Sequence, residues 1–242
     1  MLFRSAWLMS FGEFVGRVVV LTGVGRPGQV GEAVARAFGE RGAELVLIDR
    51  GPAVAERAAD LKSRGIKAHA HSCDLTDPVA VDAVARTVAG YHRDGIHALV
   101  NMAGGFAMSG PVADADVSVL QQQLAISLVT AYCATRAFLP QLRPAQGAIV
   151  FFAAAAVLPG GTVKNMSAYA AAKSGVVALM QAVAQEERAH GVRSNAIAPT
   201  AVRTAANVAS MGDGVVYVER EQVSDADAGC VPTAPVPSPG RS

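Results

Sequence analysis

Six short runs of apolar and β-branched residues constrain the fold most, because longer segments with a helical pattern fill most of the intervals between them. Such alternation predicts a parallel sheet with helices on both faces and right-handed crossovers. The strands are predicted at residues 18–22, 44–49, 68–73, 98–101, 148–152 and 193–197. The helices are predicted at residues 30–41, 53–64, 78–91, 117–142 and 167–190. The pattern therefore predicts an α/β protein with a doubly wound parallel sheet.

One domain accounts for most of the chain, because 242 residues with 51% hydrophobic content can bury a single core. We place this domain at residues 11–226, after an N-terminal extension at residues 1–10 and before an irregular tail at residues 227–242. The tail holds Pro232, Pro235, Pro237 and Pro239, and such a segment cannot make a central strand or a helix. The apolar opening of the chain is too short and too interrupted for a membrane span.

Charge and cysteine content argue against several functions. A net charge of +1 without a basic stripe argues against nucleic acid as a partner and favours a small molecule. Cys73, Cys133 and Cys230 are odd in number and lack C-x-x-C spacing, which favours a reducing compartment, the cytoplasm, over a disulfide framework. His69 and His71 alternate with Cys73 along a predicted strand, but no fourth ligand has a fitting spacing, so no metal site is predicted.

A glycine-rich loop, residues 22–31, follows the first strand and opens the first helix. Glycines let a backbone approach a pyrophosphate closely, and a helix N-terminus offers unpaired amides with partial positive charge. Asp49 ends the second strand, where a carboxylate would accept hydrogen bonds from ribose hydroxyls and repel a ribose phosphate. This favours NAD as the cofactor. NADP is the alternative, because Arg26 or Arg50 could reach a ribose phosphate.

Two further segments follow predicted strands at their carboxyl ends, where open α/β sheets bind ligands. Asp74 and Leu75 follow the third strand, and residues 101–105 end the fourth strand with the sequence Asn-Met-Ala-Gly-Gly. Both segments are therefore candidate parts of a ligand site. The alternative for either segment is a simple Asx turn.

Tyr169 and Lys173 are four residues apart in a predicted helix, so they share one face. A phenol with a pKa of about 10 is a poor proton donor to a forming alkoxide, and a nearby cation lowers that pKa. The pair therefore indicates an acid catalyst. Such a site would also be expected to hold a hydroxyl upstream, where the chain has four alanines, residues 153–156.

With these segments in order, the chain resembles the short-chain dehydrogenase/reductase family across roughly residues 15–225. The resemblance rests on the Thr22-Gly23 loop, Asp49, Cys73-Asp74-Leu75, Asn101-Met102-Ala103-Gly104, Tyr169-x-x-x-Lys173, Arg-Ser-Asn-Ala-Ile-Ala-Pro at residues 193–199, and Thr204. It implies a Rossmann fold and an NAD(P)-dependent oxidoreductase that transfers hydride between nicotinamide and an alcohol or ketone. Tyr169 would be the general acid/base, and Lys173 would hold the nicotinamide ribose and lower the pKa of the tyrosine.

The resemblance also implies which residues bind the cofactor. They are Gly23, Gly25, Arg26, Gly28, Val30, Gly31, Asp49, Arg50, Asp74, Leu75, Asn101, Ala103, Gly104, Tyr169, Lys173, Pro199, Val202 and Thr204. Within this set, Asp74 would contact adenine, and Pro199, Val202 and Thr204 would adjoin the nicotinamide.

The chain departs from the family pattern at two catalytic positions. Ser127 stands where the family has an active-site Asn, and Ala154 or Ala156, depending on where an insertion is placed, stands where the family has its catalytic Ser. Because loss of one donor at an oxyanion-type site costs about 2.7–4 kcal/mol, turnover is expected to be impaired. Thr162 or another nearby donor is an alternative source of the hydroxyl. A cofactor-binding sensor or scaffold without useful catalysis is the alternative function.

The family pattern also changes in the last part of the chain. The family continues through another helix and a seventh strand, whereas residues 217–226 resemble the start of that helix and the proline-rich tail follows. We therefore expect six strands, with a frameshift or truncation near Asp225 as one hypothesis. The resemblance implies a homodimer built on the two long helices. A homotetramer is the alternative, but it usually also uses the last strand.

Overall fold

The computed structural model describes residues 13–211 and 214–231. Its main sheet has six parallel strands in the order β3-β2-β1-β4-β5-β6. The strands are β1 (Val18–Thr22), β2 (Glu44–Asp49), β3 (Ala68–Ser72), β4 (Ala98–Asn101), β5 (Ala148–Phe152) and β6 (Arg193–Ile197). The predicted doubly wound sheet of six strands is confirmed, and only β3 differs from its predicted bounds, ending one residue earlier.

Helices cover both faces of this sheet. They are α1 (Val30–Glu40), α2 (Ala53–Ser63), α3 (Pro78–Tyr91), α4 (Val117–Gln123), α5 (Thr130–Leu142), α6 (Ser167–Glu186), α7 (Ala205–Met211) and α8 (Arg220–Gly229). Helices α1, α2 and α8 contribute to one apolar core, and α3, α5 and α6 contribute to the other. Successive strand residues alternate between these cores, as Val19 and Val20 do, because side chains along a strand point to opposite faces. The four inner strands β1, β2, β4 and β5 are therefore buried on both sides, as their apolar sequences predict, whereas the two edge strands are partly exposed.

The loops after β1 and β4 are joined at the carboxyl edge of the sheet. The Thr22 hydroxyl oxygen accepts hydrogen bonds from the N–H groups of Met102 at 3.1 Å and Ala103 at 3.2 Å. These neighbouring strands lead to opposite halves of the sheet, since β2 and β3 lie beyond β1 whereas β5 and β6 lie beyond β4. A ligand crevice is expected where the strand order reverses in this way.

The long helix predicted at residues 117–142 is continuous but irregular. Between α4 and α5, Leu124–Val129 forms one π-helical segment. Ser127 lies in this segment with 2% of its surface exposed. Because π-helical turns inside α-helices are rare and often occur at functional sites, this segment indicates that the helix face with Ser127 is part of a functional site.

The same run, Val117–Leu142, has the length and composition of a membrane-crossing helix. Its most apolar stretch has a mean hydropathy of 1.2, and it is the one such helix among the residues that the structure describes. Here α5 packs against α3 and the sheet, and Phe138 and Leu142 are fully buried in the protein's own core. Core helices satisfy the same criteria, so no membrane span is indicated.

The C-terminal part differs from the prediction in two respects. Tyr217–Val218 forms a short strand, β8, that pairs in parallel with β7 (Ala201–Val202), and α8 begins only at Arg220. Helix α8 extends to Gly229, so the predicted start of the irregular tail at residue 227 is wrong by at least three residues. The reason is packing, because Ala228 and Val231 are buried in the core that α1 shares. Residues 1–12, with the predicted extension, and residues 232–242 of the predicted tail lie outside the described residues.

Three histidines, His69, His71 and His92, lie together where β3 meets the end of α3, and a fourth, His97, directly precedes β4. His69 Nε2 lies 2.9 Å from Glu44 Oε1, and His71 Nε2 lies 2.7 Å from the Tyr91 hydroxyl. His92 packs edge-on against the Tyr91 ring. His97 Nδ1 accepts a hydrogen bond from the Val18 N–H at 3.1 Å, which requires that nitrogen to be unprotonated.

Acid is expected to destabilise the fold through these histidines. Burial lowers the pKa values of His71, His92 and His97 below 6.5, and neighbouring cations add smaller contributions in the same direction. Glu44 opposes the lowering at His92, and Asp94 opposes it at His97. The unfolded chain therefore takes up protons first as the pH falls, so the free energy of unfolding decreases from about pH 7 to about pH 5. His97→Asn keeps an acceptor for Val18 and removes the titration.

Urea unfolding at several pH values measures this effect. We expect the His97→Asn variant to lose less stability on acidification than the unmodified chain, whereas His190→Asn, at an exposed histidine, should behave like the unmodified chain. Equal pH slopes for His97→Asn and the unmodified chain would show that His97 does not contribute.

Candidate active site

Two glycines of the glycine-rich loop lie close to other parts of the backbone. Gly23 has a φ of +77°, and a Cβ atom there would lie 2.7 Å from the Ala103 backbone nitrogen. A Cβ atom on Gly31 would overlap the Gly23 carbonyl oxygen. Gln29 is the N-cap residue of α1, and its side chain makes no capping hydrogen bond. Amides of the first turn of α1 therefore remain available to a ligand. Val30 is the first residue of α1 and packs half-buried against the core.

Asp49, at the end of β2, lies against this loop. Its Oδ2 atom accepts a hydrogen bond from the Gly25 N–H at 2.8 Å. Arg26, in the same loop, and Arg50, directly after Asp49, are both exposed.

Asp74 and Leu75 occupy different environments at the end of β3. Asp74 is exposed, and its Oδ1 accepts hydrogen bonds from the Thr76 hydroxyl at 2.7 Å and the Thr76 N–H at 2.9 Å. These bonds lower the pKa of Asp74, so the predicted alternative, an Asx turn, is present. The Leu75 side chain is buried in the core, so a cofactor contact of this residue would use its backbone.

Asn101 and Gly104 border a polar space between β4 and the long helices. Asn101 Nδ2 donates to Thr135 Oγ1 at 3.0 Å, whereas its buried Oδ1 has no partner among the described residues. A Cβ atom on Gly104 would lie 3.2 Å from Ser127 Oγ and 3.7 Å from Lys173 Nζ. The Ser127 hydroxyl is also buried and unpartnered within the described chain. The structure thus brings Ser127 and Lys173 together beside Gly104.

Tyr169 and Lys173 lie on one face of α6, as predicted. Lys173 is 7% exposed, and its Nζ atom donates to the Phe152 carbonyl oxygen at 2.6 Å. The same nitrogen lies 5.9 Å from the centre of the Tyr169 ring. The end of β5 therefore holds the ammonium beside the tyrosine without a direct hydrogen bond between them.

The expected lowering of the Tyr169 pKa is not found. Burial raises the pKa of Tyr169 to about 12. Burial also lowers the pKa of Lys173 from 10.5 to about 8. The physical reason is that both groups leave water, while the ammonium is bonded to Phe152 rather than to the phenol. Tyr169 therefore keeps its proton at neutral pH in the cofactor-free protein.

The charge of Lys173 is expected to cost stability. A shift of its pKa from 10.5 to about 8 corresponds to about 3 kcal/mol of folding free energy at neutral pH. Lys173→Met should therefore raise the free energy of unfolding by about 1–3 kcal/mol at pH 7. The gain should shrink as the pH rises from about 8 to about 10, because the unmodified chain then sheds the buried charge.

Denaturant unfolding at two pH values tests this expectation. Lys62→Met, at an exposed lysine of α2, is the matched control and should change stability little. A Lys173→Met variant less stable than the unmodified chain at pH 7 would show that the ammonium stabilises the fold.

The alanine run after β5 contains no side-chain donor. Ala153 and Ala154 are 3% and 5% exposed, and Ala155–Val157 forms a turn of 3₁₀ helix. The Ala153 N–H donates to the Ile197 carbonyl at 2.9 Å, so this run is tied to the end of β6. The candidate substitute, Thr162, is exposed in the following loop.

Phe106 lies beside Tyr169 in the structure, although the sequence analysis did not include it among the site residues. Its ring meets the Tyr169 ring edge-on, with centroids 5.0 Å apart. Its loop is fastened to the loop after β5, because the Ser109 and Gly110 N–H groups donate to the Asn165 carbonyl at 2.9 and 3.1 Å. The one sequence signal was an aromatic residue directly after the Asn-Met-Ala-Gly-Gly segment. Phe106 excludes water from one side of the phenol.

The segment after β6 places the remaining predicted residues. Pro199 is half-buried, and its carbonyl accepts from the Ala155 N–H at 3.0 Å. Val202, in β7, and Thr204 are buried. The Thr204 hydroxyl accepts from the Asn207 N–H at 3.2 Å in the first turn of α7. Pro199 thereby connects this segment to the alanine run.

These features fit a dinucleotide. The loop glycines exclude side chains, the first turn of α1 offers amides, and the Asn101 and Ser127 oxygens remain buried without partners in the described chain. Within that same part of the chain, no group of three or more His, Cys, Asp or Glu side chains is arranged to hold a metal ion. The site therefore has the elements needed to bind a nucleotide and to move a proton at Tyr169.

Comparison with known proteins shows the family to which this chain is similar. The family model for short chain dehydrogenase matches residues 17–213. A (5R,7aS)-5-hydroxy-7a-methyl-1-oxo-2,3,5,6,7,7a-hexahydro-1H-indene-carboxyl-CoA reductase of Mycobacterium tuberculosis is 37% identical over 79% of this chain and 73% of its own length.

Solved structures show the same likeness. A metagenomic short-chain oxidoreductase in complex with NADP has a TM-score of 0.75 at 30% identity, covering 89% of this chain and 90% of its own. NAD⁺-bound xylitol dehydrogenase has a TM-score of 0.78 at 25% identity, covering 90% of this chain and 92% of its own. By its sheet, its glycine loop, its Tyr169 and Lys173 pair and these matches, the chain belongs to the short-chain dehydrogenase family of NAD(P)-dependent oxidoreductases.

Proposed function

We propose that the chain interconverts an alcohol and a ketone, with Tyr169 as the group that gives and takes the proton at the substrate oxygen. The nicotinamide cofactor, when bound, supplies or accepts the hydride. The observation that carries this proposal is the placement of Lys173 beside Gly104, with its ammonium 5.9 Å from the centre of the Tyr169 ring, at the carboxyl edge of the sheet where the glycine-rich loop also lies.

The chain's own groups suit ketone reduction at neutral pH. At neutral pH the phenol of Tyr169 carries the proton that a reduction needs. Burial raises its pKa to about 12 in the cofactor-free protein, which makes it a weaker donor unless a nearby cation lowers that pKa. Lys173, with a pKa of about 8, is mostly charged at pH 7 and lies close enough to stabilise the phenolate that remains after proton transfer. Lys173 is also the proposed ligand of the nicotinamide ribose, and Phe106 shields the phenol from water.

Catalysis is proposed to be slower than in relatives that keep the serine. Ala154 and Ala156 provide no hydroxyl for the second hydrogen bond to the developing alkoxide, which is worth about 2.7–4 kcal/mol at comparable sites. A second candidate function is a cofactor-binding sensor or scaffold. The same two alanines favour it, because they supply no hydroxyl for catalysis.

NAD is the proposed preferred cofactor, with NADP as the alternative. Asp49 supports NAD because its carboxylate lies at the loop, within reach of ribose hydroxyls, and would repel a ribose phosphate. Arg26 and Arg50 support the alternative. Relatives are no guide, since the two solved structures named above hold NAD⁺ and NADP respectively.

The proposed assembly is a homodimer in the cytoplasm, with a homotetramer as the alternative. Helices α4 and α5 expose apolar side chains at Val117, Leu120 and Tyr132, which a partner's long helices would cover. Three free cysteines support a reducing compartment.

Calorimetric titration of the purified chain with NADH and NADPH, followed by turnover assays on a panel of linear and cyclic ketones, tests this function. We expect binding of both cofactors, tighter for NADH, and slow turnover. Binding without turnover over the whole panel would favour the sensor or scaffold, and absence of cofactor binding would overturn both functions.

A further inference from the structure

Arg220, the first residue of α8, reaches the glycine-rich loop from the far end of the sequence. Its Nη1 atom would lie 4.0 Å from a Cβ atom placed on Gly28. Gly28 has a φ of +70° and lies two residues before the start of α1. A guanidinium group therefore lies beside the turn where α1 begins.

Packing fixes this position. Helices α1 and α8 lie side by side, and Arg41, the residue that follows α1, donates to Asp225 at 2.7 Å. A capping box between Glu219 and Gln222 sets the first turn of α8. The pairing of β7 with β8 ties the preceding segment to the end of β6. The position of Arg220 is therefore set by the packing of α8 and the segment before it.

The carboxylate beside Gly28 is paired with an arginine other than Arg220. The Gly28 N–H donates to Glu32 Oε2 at 2.6 Å, so this amide already holds a carboxylate, and Arg57 neutralises that carboxylate at 3.0 Å. Arg220 has one ion pair within the described chain, with Glu221 at 4.0 Å, and Arg36 shares that carboxylate at 3.7 Å. The Arg220 guanidinium therefore keeps most of its donors for a ligand.

We propose that Arg220 binds the pyrophosphate of the nicotinamide cofactor, adding a guanidinium to the loop amides. A planar guanidinium matches the oxygens of a phosphate in charge and geometry. The inference rests on the proposed function, because it concerns the same cofactor site. It assigns to α8, which contributes none of the residues predicted for the site, a direct part in cofactor affinity.

The test compares Arg220→Gln with Arg188→Gln. Arg188 is exposed in the 3₁₀ turn Arg188–His190, just before β6 and so at the opposite edge of the sheet, and the two variants change the net charge equally. Dissociation constants for NADH and for ADP-ribose are measured by calorimetry, with thermal unfolding to verify the fold. ADP-ribose carries the pyrophosphate without the nicotinamide.

Arg220→Gln is expected to weaken both ligands at least about tenfold, with Arg188→Gln within about twofold of the unmodified chain. Arg220→Lys should recover part of the loss, and the salt dependence of binding should be smaller in Arg220→Gln. Unchanged affinities in a folded Arg220→Gln variant would overturn the inference while leaving the proposed function intact. Failure of the unmodified chain to bind either ligand would overturn both.

Discussion

Tyr169→Phe should lower kcat for ketone reduction by roughly 10²–10⁴-fold, while the dissociation constant of the cofactor stays within about twofold. The substitution removes one hydroxyl and keeps the ring, including its edge-on contact with Phe106. Of the two hydroxyls that the family uses at the substrate oxygen, Tyr169 carries the one that this chain retains. The loss should therefore lie near the upper end of the range. Steady-state kinetics and calorimetry on the same preparation separate the two quantities.

Tyr132→Phe is the matched control, because this tyrosine of α5 is 55% exposed and lies outside the proposed site. Its kinetics should equal those of the unmodified chain. Equal kcat values for Tyr169→Phe and the unmodified chain would mean that another group moves the proton.

Ala154→Ser should raise kcat/KM by roughly 100-fold to 1000-fold, by restoring the second donor to the substrate oxygen. Ala154 is the stronger of the two candidate positions, because it is the second residue after β5, has an extended backbone and is 5% exposed. Ala156 lies farther along, within the 3₁₀ turn, and Ala156→Ser is the second variant to measure. A buried new hydroxyl is expected to cost some stability in the ligand-free protein.

Ala155→Ser, between the two candidates, controls for a nonspecific effect of a hydroxyl in this run. We expect its kcat/KM to match that of the unmodified chain. If neither Ala154→Ser nor Ala156→Ser raises kcat/KM above this control, the missing hydroxyl does not limit turnover.

Much of the fold could be predicted because its signals are local. Apolar strands such as Val18–Thr22 and Glu44–Asp49 are bounded by glycines and aspartates, and Asp77 caps α3 through the Val79 N–H at 2.9 Å, directly before Pro78. Candidate site residues such as Gly23 could likewise be chosen from residue type and from spacing along the chain.

What could not be predicted depends on neighbours that are distant in sequence. Phe106, in the loop after β4, contacts Tyr169 of α6, and Arg220 lies near Gly28, from which most of the chain separates it in sequence. The Tyr169 pKa was expected to fall because the sequence shows Lys173 but not how deeply both groups are buried. The π-helical segment at Ser127 has no sequence signal that we can identify.

The central claim is that this chain transfers hydride with Tyr169 as its proton donor despite the alanines at the serine position. The most direct measurement incubates the chain with reduced cofactor deuterated at the transferred position and a panel of ketones, then determines deuterium in the alcohol products by mass spectrometry. We expect labelled alcohol from the unmodified chain and far less from Tyr169→Phe in the same time. Cofactor binding without labelled alcohol from any ketone would contradict the claim.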